Sequence, residues 1–292
     1  DVERSRGLGD VYKRQRFGNA LAELGTKTAH DRTTHLAKAE HGYRINGRKF
    51  YATGALYAQR IPTSVVDDHG VQHLAFVRSD SDGLNVIDDW SGFGQRTTGS
   101  GSVVFDNVFV ASDDVIPFQS AFERPTPVGP LAQILHAAID TGIARAAFED
   151  ALNFVRHKTR PWIDATTDIA SEDPLTLKSF GQLSVRLHAA EALLERSGEF
   201  LDIAQTNTTA STVAAASIAV AEARAISTEV ALSAASTLFE LAGSQATLAE
   251  YGLDRHWRNA RVHTLHDPVR WKYHAVGNYY LNSENPPLRG TI

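Results

Sequence analysis

The chain has 292 residues, 42% hydrophobic and 22% charged, with a formal net charge of −5 and neither cysteine nor methionine. That length suits about two domains, and the mild acidity argues against a nucleic-acid binder, which needs a basic face to neutralise phosphates. No run approaches the roughly 18 apolar residues of a membrane-spanning helix. Without cysteine there are no disulfides, thiolate nucleophiles or cysteine-ligated metals; with no signal sequence in view either, the expected location is the cytoplasm.

Residues 1–15 have neither helical nor strand periodicity, and Gly7 to Gln15 resembles a translated sequencing adapter. The expectation is a non-native segment inside a record that starts within a gene, against the alternative of a native polar loop. From about Thr34 to Val110 the pattern is β. Tyr43 and Ile45 alternate with polar residues, Asn46-Gly47 reads as a two-residue hairpin turn, and Lys49-Phe50-Tyr51 reads as the returning strand. Ile61 to Val66 is a β-branched run that turns at Asp67-Asp68-His69-Gly70 into Val71 to Arg78. Gly83 to Trp90 and Ser102 to Val110 complete a set of short strands that no helix-length segment interrupts.

After Pro130 the period becomes helical. Leu131 to His157 carries Ile134, Leu135, Ala138, Ile139 and Ile143 at helical spacing. Asp173-Pro174 opens a second helix to about Ala204. An alanine-rich third runs from about Thr212 to Leu241, with Gly243 as its C-cap, and reads as a packing or subunit-interface helix. Shorter helices are expected over about Tyr251 to Leu265 and Val269 to Leu281. The predicted layout is segregated α+β: a small antiparallel β-barrel or sandwich over residues 16–122, then an antiparallel four-helix bundle over 123–292.

Three stretches carry candidate chemistry. The loop Gly92-Phe-Gly-Gln-Arg-Thr-Thr-Gly-Ser-Gly101 is glycine-rich, but it leads into a strand and so is not a dinucleotide or Walker loop; it lines a pocket or is a plain turn. Trp257 to Lys272 holds His263 and His266, which share a face at helical spacing, and Asp267, which Pro268 biases away from helix. Metal binding, capping of the last helical carbonyls and proton handling near neutral pH all remain open for that trio, although no zinc-like spacing is completed elsewhere. Arg160, after the first long helix, suits either an anionic ligand or the helix C-terminus.

Taken together, residues 16 to 292 resemble the acyl-CoA dehydrogenase superfamily. Phe17-Gly-Asn-Ala-Leu-Ala-Glu-Leu-Gly25 looks like its flavin loop, Gly47-Arg-Lys-Phe-Tyr-Ala-Thr-Gly54 like its Gly-x-Lys-x-Trp-Ile-Thr motif, and Phe105-Asp-Asn-Val-Phe-Val110 like its closing strand. The segment from Arg258 onward resembles the stretch leading to the catalytic glutamate of several acyl-CoA dehydrogenases. Aligned without gaps, that glutamate becomes Asp267, the preceding tyrosine His266 and the following glycine Pro268. Asp is one methylene shorter and the proline redirects the backbone, which counts against dehydrogenation by Asp267. The form Arg-Asn-Ala-Arg-Val-His-Thr-Leu-His-Asp-Pro instead resembles the reduced-flavin monooxygenase branch, including dibenzothiophene monooxygenases and SfnB-type sulfur-acquisition oxidoreductases.

That resemblance implies reduced FMN, supplied by a separate flavin reductase, with FAD as the alternative. A flavin hydroperoxide would transfer oxygen from O2 to a small organosulfur substrate. His266 is the implied donor to the peroxide, with His263 or Asp267 orienting it. Asn19, Phe50, Tyr51 and Thr53 would bind the isoalloxazine, and Arg96 and Ser100 would line the pocket or contact phosphate, with Arg160 a further cofactor-binding candidate. Where relatives can carry serine after Phe-Tyr, this chain has Ala52, one hydroxyl fewer. The family also implies a homotetramer and an N-terminal helical domain preceding these residues. An FAD-dependent acyl-CoA dehydrogenase and a non-enzymatic flavin-binding paralogue are the competing readings.

Overall fold

The computed structural model describes residues 15–28 and 31–292. Of the adapter-like segment only Gln15 is described, so the expectation for residues 1–14 lies outside it. The chain forms two compact units. One comprises the described residues up to Gly92 together with Arg96–Glu123; the other comprises Phe93–Gln95 together with Arg124–Ile292.

The first unit is built on a seven-stranded sheet: β1 (His35–Ala39), β2 (Gly42–Lys49), β3 (Arg60–Val66), β4 (Gln72–Arg78), β5 (Leu84–Ile87), β6 (Ser102–Ala111) and β7 (Val115–Pro117), in the order β5-β6-β2-β1-β3-β4-β7. Every pairing is antiparallel except the single parallel step between β1 and β3. Alternating side chains from these strands, among them Leu36, Ile45, Ile61, Val65, Val77, Phe105 and Val108, close one apolar core.

The expected turn at Asn46-Gly47 is not there. The hairpin turns at Glu40-His41, with His41 at φ 61, and β2 runs straight through Gly47. Asn46-Gly47 instead faces a bulge where the β2–β6 register shifts, and the Asn107 N–H donates to Asn46 Oδ1 at 2.8 Å. Glycine is needed at 47 because a Cβ there would lie 2.7 Å from Thr34 Cα. Lys49-Phe50-Tyr51 is accordingly the end of β2 and the loop after it, not a returning strand.

In the second unit the long helices are α1 (Val128–His157), α2 (Pro174–Thr206) and α3 (Ala210–Ala242), followed by the shorter α4 (Asp254–His263) and α5 (Arg270–Asn282). The three long helices and the two shorter ones lie in the order expected from the sequence. Asp173 caps α2 by accepting the Thr176 N–H at 2.8 Å, with Pro174 in the first turn where its missing N–H costs nothing. Thr209 and Thr212 form a reciprocal capping box for α3, and the chain leaves that helix at Gly243. Alanine makes α3 narrow enough to pack against α1, α2, α4 and α5. Nineteen of its 33 residues are buried, as expected of a central helix, and Arg224 is the single charged residue among them.

Candidate functional site

In the sheet unit, the candidate residues gather where β2 ends. The Asn19 N–H donates to Thr53 O at 3.1 Å, the Gly54 N–H to Thr98 O at 3.0 Å and the Ala52 N–H to Gly101 O at 3.0 Å. These bonds hold the Phe17–Ala20 stretch and the Arg96–Gly101 loop against Tyr51–Gly54. Bridges from Phe17 to Arg60 and from Ala20 to Thr63 fix the first of these beside β3. Tyr51 sits in the left-handed region at φ 51, and its exposed ring meets Trp90 edge-on at 6.2 Å. Thr53, Ser100 and Thr98 form a hydroxyl chain, with Oγ–Oγ distances of 2.9 and 2.6 Å. The Asn19 carboxamide and the exposed Arg96 guanidinium have no side-chain partner among the described residues. Phe50 differs from the rest: the Arg48 guanidinium covers one face of its ring at 4.7 Å.

Beneath this loop lies a buried ion pair. Lys49 Nζ donates to Glu23 Oε1 at 2.5 Å and to Ser64 Oγ at 3.2 Å, and Glu23 also accepts from the N–H and hydroxyl of both Thr33 and Thr34. Burial opposes the carboxylate's charge, but Lys49 and the two threonines outweigh it and bring Glu23 down to about 2. Burial pulls Lys49 down to about 8, with Glu23 opposing.

The Trp257–Lys272 stretch belongs to the helical unit. Helix α4 ends at His263, as Pro268 suggested, and the next turn carries His266 and Asp267. His263 Nδ1 lies 2.6 Å from Asp140 Oδ1, and His263 Nε2 lies 3.1 Å from His136 Nδ1, both partners being on α1. The rings of His136 and His266 lie 3.9 Å apart centroid to centroid, inclined at 36°. His266 Nδ1 is 3.2 Å from Asp267 Oδ1, so of the two orienting candidates Asp267 is the one within reach of it.

Arg224 ties these groups together. Its guanidinium pairs with Asp140 and reaches Asp267 at 3.4 Å, while Lys272 pairs with the other Asp267 oxygen and donates to Thr291 O at 2.6 Å. Burial raises the cost of a charge on Asp267, yet His266, Lys272 and Arg224 together hold its carboxyl far below the usual range. His136 is pushed down to about 3, first by burial and then by the neighbouring His266, His263 and Arg224. Among the described residues no group of three histidine or acidic side chains is arranged to hold a metal ion.

The other candidates stand apart from these clusters. Arg160 is exposed beyond the end of α1 and has no partner among the described residues. Phe93, from the glycine-rich loop, stacks on Trp257 at 5.9 Å, and the neighbouring Gln95 N–H donates to Asn259 Oδ1 at 2.8 Å.

The family model for the acyl-CoA dehydrogenase C-terminal domain matches residues 134–271. A dibenzothiophene monooxygenase from Mycolicibacterium goodii is 34% identical over 284 residues, covering 92% of this chain and 68% of its own length. A probable FMNH2-dependent monooxygenase, SfnC of Pseudomonas putida, is 32% identical over 92% of this chain and 69% of its own. The FMN-bound TdsC of Paenibacillus sp. A11-2 superposes with a TM-score of 0.92 at 31% identity, covering 97% of this chain and 75% of that one. The chain belongs to the acyl-CoA dehydrogenase superfamily, in its flavin-dependent monooxygenase branch.

For a member of this branch, sequence reasoning missed four side chains that build the histidine cluster: His136, Asp140, Arg224 and Lys272. One signal was available. His136 and Asp140 are four apart on a predicted helix and so share a face. A second was fainter: Arg224 follows Ser217, Val220 and Ala221 on the apolar face of α3, a place where a lone charge must find a buried partner.

Proposed function

We propose that the protein is a reduced-FMN-dependent monooxygenase that oxygenates a small organosulfur compound in sulfur acquisition. The observation carrying this reading is the state of Asp267. A dehydrogenase base must take a proton from substrate, but Asp267 is buried, ionised and locked between Arg224 and Lys272. A carboxylate so strongly stabilised in its charged form is a poor base. His266, beside it and half exposed, is the imidazole of this cluster that a bound molecule can reach.

The residues of the sheet unit suit a flavin. The Thr53–Ser100–Thr98 hydroxyls and the Asn19 carboxamide offer donors and acceptors for an isoalloxazine edge, Tyr51 offers an aromatic face, and the Arg96 cation suits phosphate. We assign Asn19, Phe50, Tyr51, Thr53 and Ser100 to the ring system and Arg96 and Arg160 to anionic groups. Reduced FMN, or FAD as the alternative, would supply the electrons that activate oxygen. His266 would hold and donate the proton that oxygen transfer needs, with Asp267 fixing its ring through Nδ1. FMN binding by TdsC and the names of the M. goodii and P. putida relatives support the flavin and the substrate class. A transient flavin reductase and assembly into a homotetramer complete the proposal.

The test is turnover. The complete gene product, given FMN and a separate reductase, should oxygenate dibenzothiophene or a member of a panel of small sulfides and sulfinates. His266→Ala should divert the oxygen to hydrogen peroxide. Oxygenation unaffected by that change refutes the role of His266. Retention of FAD that an acyl-CoA bleaches anaerobically would make the protein a dehydrogenase instead, and flavin binding with no oxygenation across the panel would make it a non-enzymatic paralogue.

A further inference from the structure

The function proposed above gives no part to His136 or Asp140, yet both are in direct contact with groups it uses. The hydrogen positions follow from the partners. Asp140 is ion-paired with Arg224, so His263 Nδ1 carries a hydrogen and donates it to Asp140 Oδ1 at 2.6 Å. The 3.1 Å contact between His263 Nε2 and His136 Nδ1 requires a hydrogen on one of the two nitrogens and a lone pair on the other. With both rings neutral, that hydrogen sits on His136 Nδ1 and leaves His136 Nε2 bare. With one extra proton the charge belongs on His263, where the Asp140 carboxylate faces it; His136 is too deeply set to stay charged.

We propose that Asp140, His263 and His136 form a two-imidazole proton relay whose outer nitrogen, His136 Nε2, takes up and returns protons next to His266. Uptake forms an N–H bond at His136 Nε2 and breaks the one at Nδ1, whose proton passes to His263 Nε2. His263 becomes an imidazolium beside the Asp140 carboxylate, and His136 is neutral before and after, with its tautomer inverted. Release is the reverse, and no electrons move. The relay rests on the reading of His266 as the proton-handling group, because the His136 ring lies against His266. His136 is therefore a positioning residue. The charged and titratable groups around it are Asp140 on its own helix, Arg224 on α3, His263 at the end of α4, His266 and Asp267 in the following turn, and Lys272 on α5.

The first test needs no flavin. Nitrogen-15 spectra of the histidine rings in the 292-residue chain, assigned with His136→Asn and His263→Asn, are recorded across neutral pH. The relay predicts that His136 passes from Nδ1–H to Nε2–H at the same midpoint at which His263 gains its charge. A His136 tautomer that stays fixed while His263 titrates overturns it. The second test uses the complete, flavin-loaded enzyme. His136→Asn keeps a hydrogen-bonding group near Nδ1 and His136→Phe keeps the ring against His266, so a merely structural residue is rescued by one of them. The relay needs both nitrogens: each variant should lower oxygenation at least about tenfold and flatten its pH profile. Rescue by either variant refutes the catalytic use of the relay. A tautomer switch in a protein that oxygenates no sulfur compound leaves the relay standing and refutes the proposed function.

Discussion

Removing Arg224 isolates what holds the histidine cluster in place. The guanidinium is 2% exposed, and it pairs with Asp140, which is completely buried, and with Asp267. In Arg224→Leu, Asp267 keeps Lys272 and His266, but Asp140 keeps only the His263 N–H. Stranding one partner of a buried pair costs about 3–5 kcal/mol, a large part of a total stability of roughly 5–15 kcal/mol. With a urea dependence of roughly 2–3 kcal/mol per molar, the unfolding midpoint should fall by about 1–2 M. Adding Asp140→Asn removes the stranded charge while keeping an acceptor for His263, so the double variant should recover most of that loss. Tryptophan fluorescence during urea unfolding reads the helical unit well, since Trp162, Trp257 and Trp271 all belong to it. A midpoint shift below about 0.3 M, or a double variant no more stable than the single one, would show that Arg224 does not hold the cluster together.

Two further outcomes concern the sheet unit. Glu23 has its folded-state pKa lowered from 4.5 to about 2, so its stabilisation is complete above pH 4.5 and is lost as pH falls from there towards 2. The loss, on the order of 3 kcal/mol, should appear as an acid limb in thermal melting that Glu23→Gln flattens; an unchanged limb contradicts the assignment. At Gly18 an added Cβ would lie 2.8 Å from the Ala55 backbone, so Gly18→Ala must push Asn19 away from Thr53. We expect about 1–3 kcal/mol of destabilisation and at least tenfold weaker FMN binding in a fluorescence titration; wild-type affinity would show that this contact does not shape the flavin site.

The parts of this fold that were legible in the sequence are those written in local periodicity. The helical spacing from Ile134 to Ile143, the Asp173-Pro174 start of α2 and the Gly243 stop of α3 are all short-range signals, and the helices lie where those signals put them. Asn46-Gly47 misled because asparagine-glycine marks a turn only when nothing outside the hairpin claims it. Here the partner strand β6 bulges at Asn107 and Thr34 presses on Gly47, both of which are tertiary facts. The histidine cluster divides in the same way. His263, His266 and Asp267 were visible as one short segment, whereas Asp140 lies 123 positions from His263 and Arg224 lies 84 from Asp140. A buried cation on an alanine helix identifies its partners only once the helices are packed.

We propose that the protein puts an oxygen atom from O2 onto sulfur with His266 supplying the proton. Isotope-labelled oxygen tests it most directly. The complete gene product, reduced FMN, 18O2 and dibenzothiophene, or whichever sulfur compound the panel identifies, are combined, and the product is analysed by mass spectrometry. The wild type should give one 18O atom per oxygenation, and His266→Ala should give hydrogen peroxide in place of labelled product. An unlabelled product, or labelled product formed equally well without His266, would contradict it.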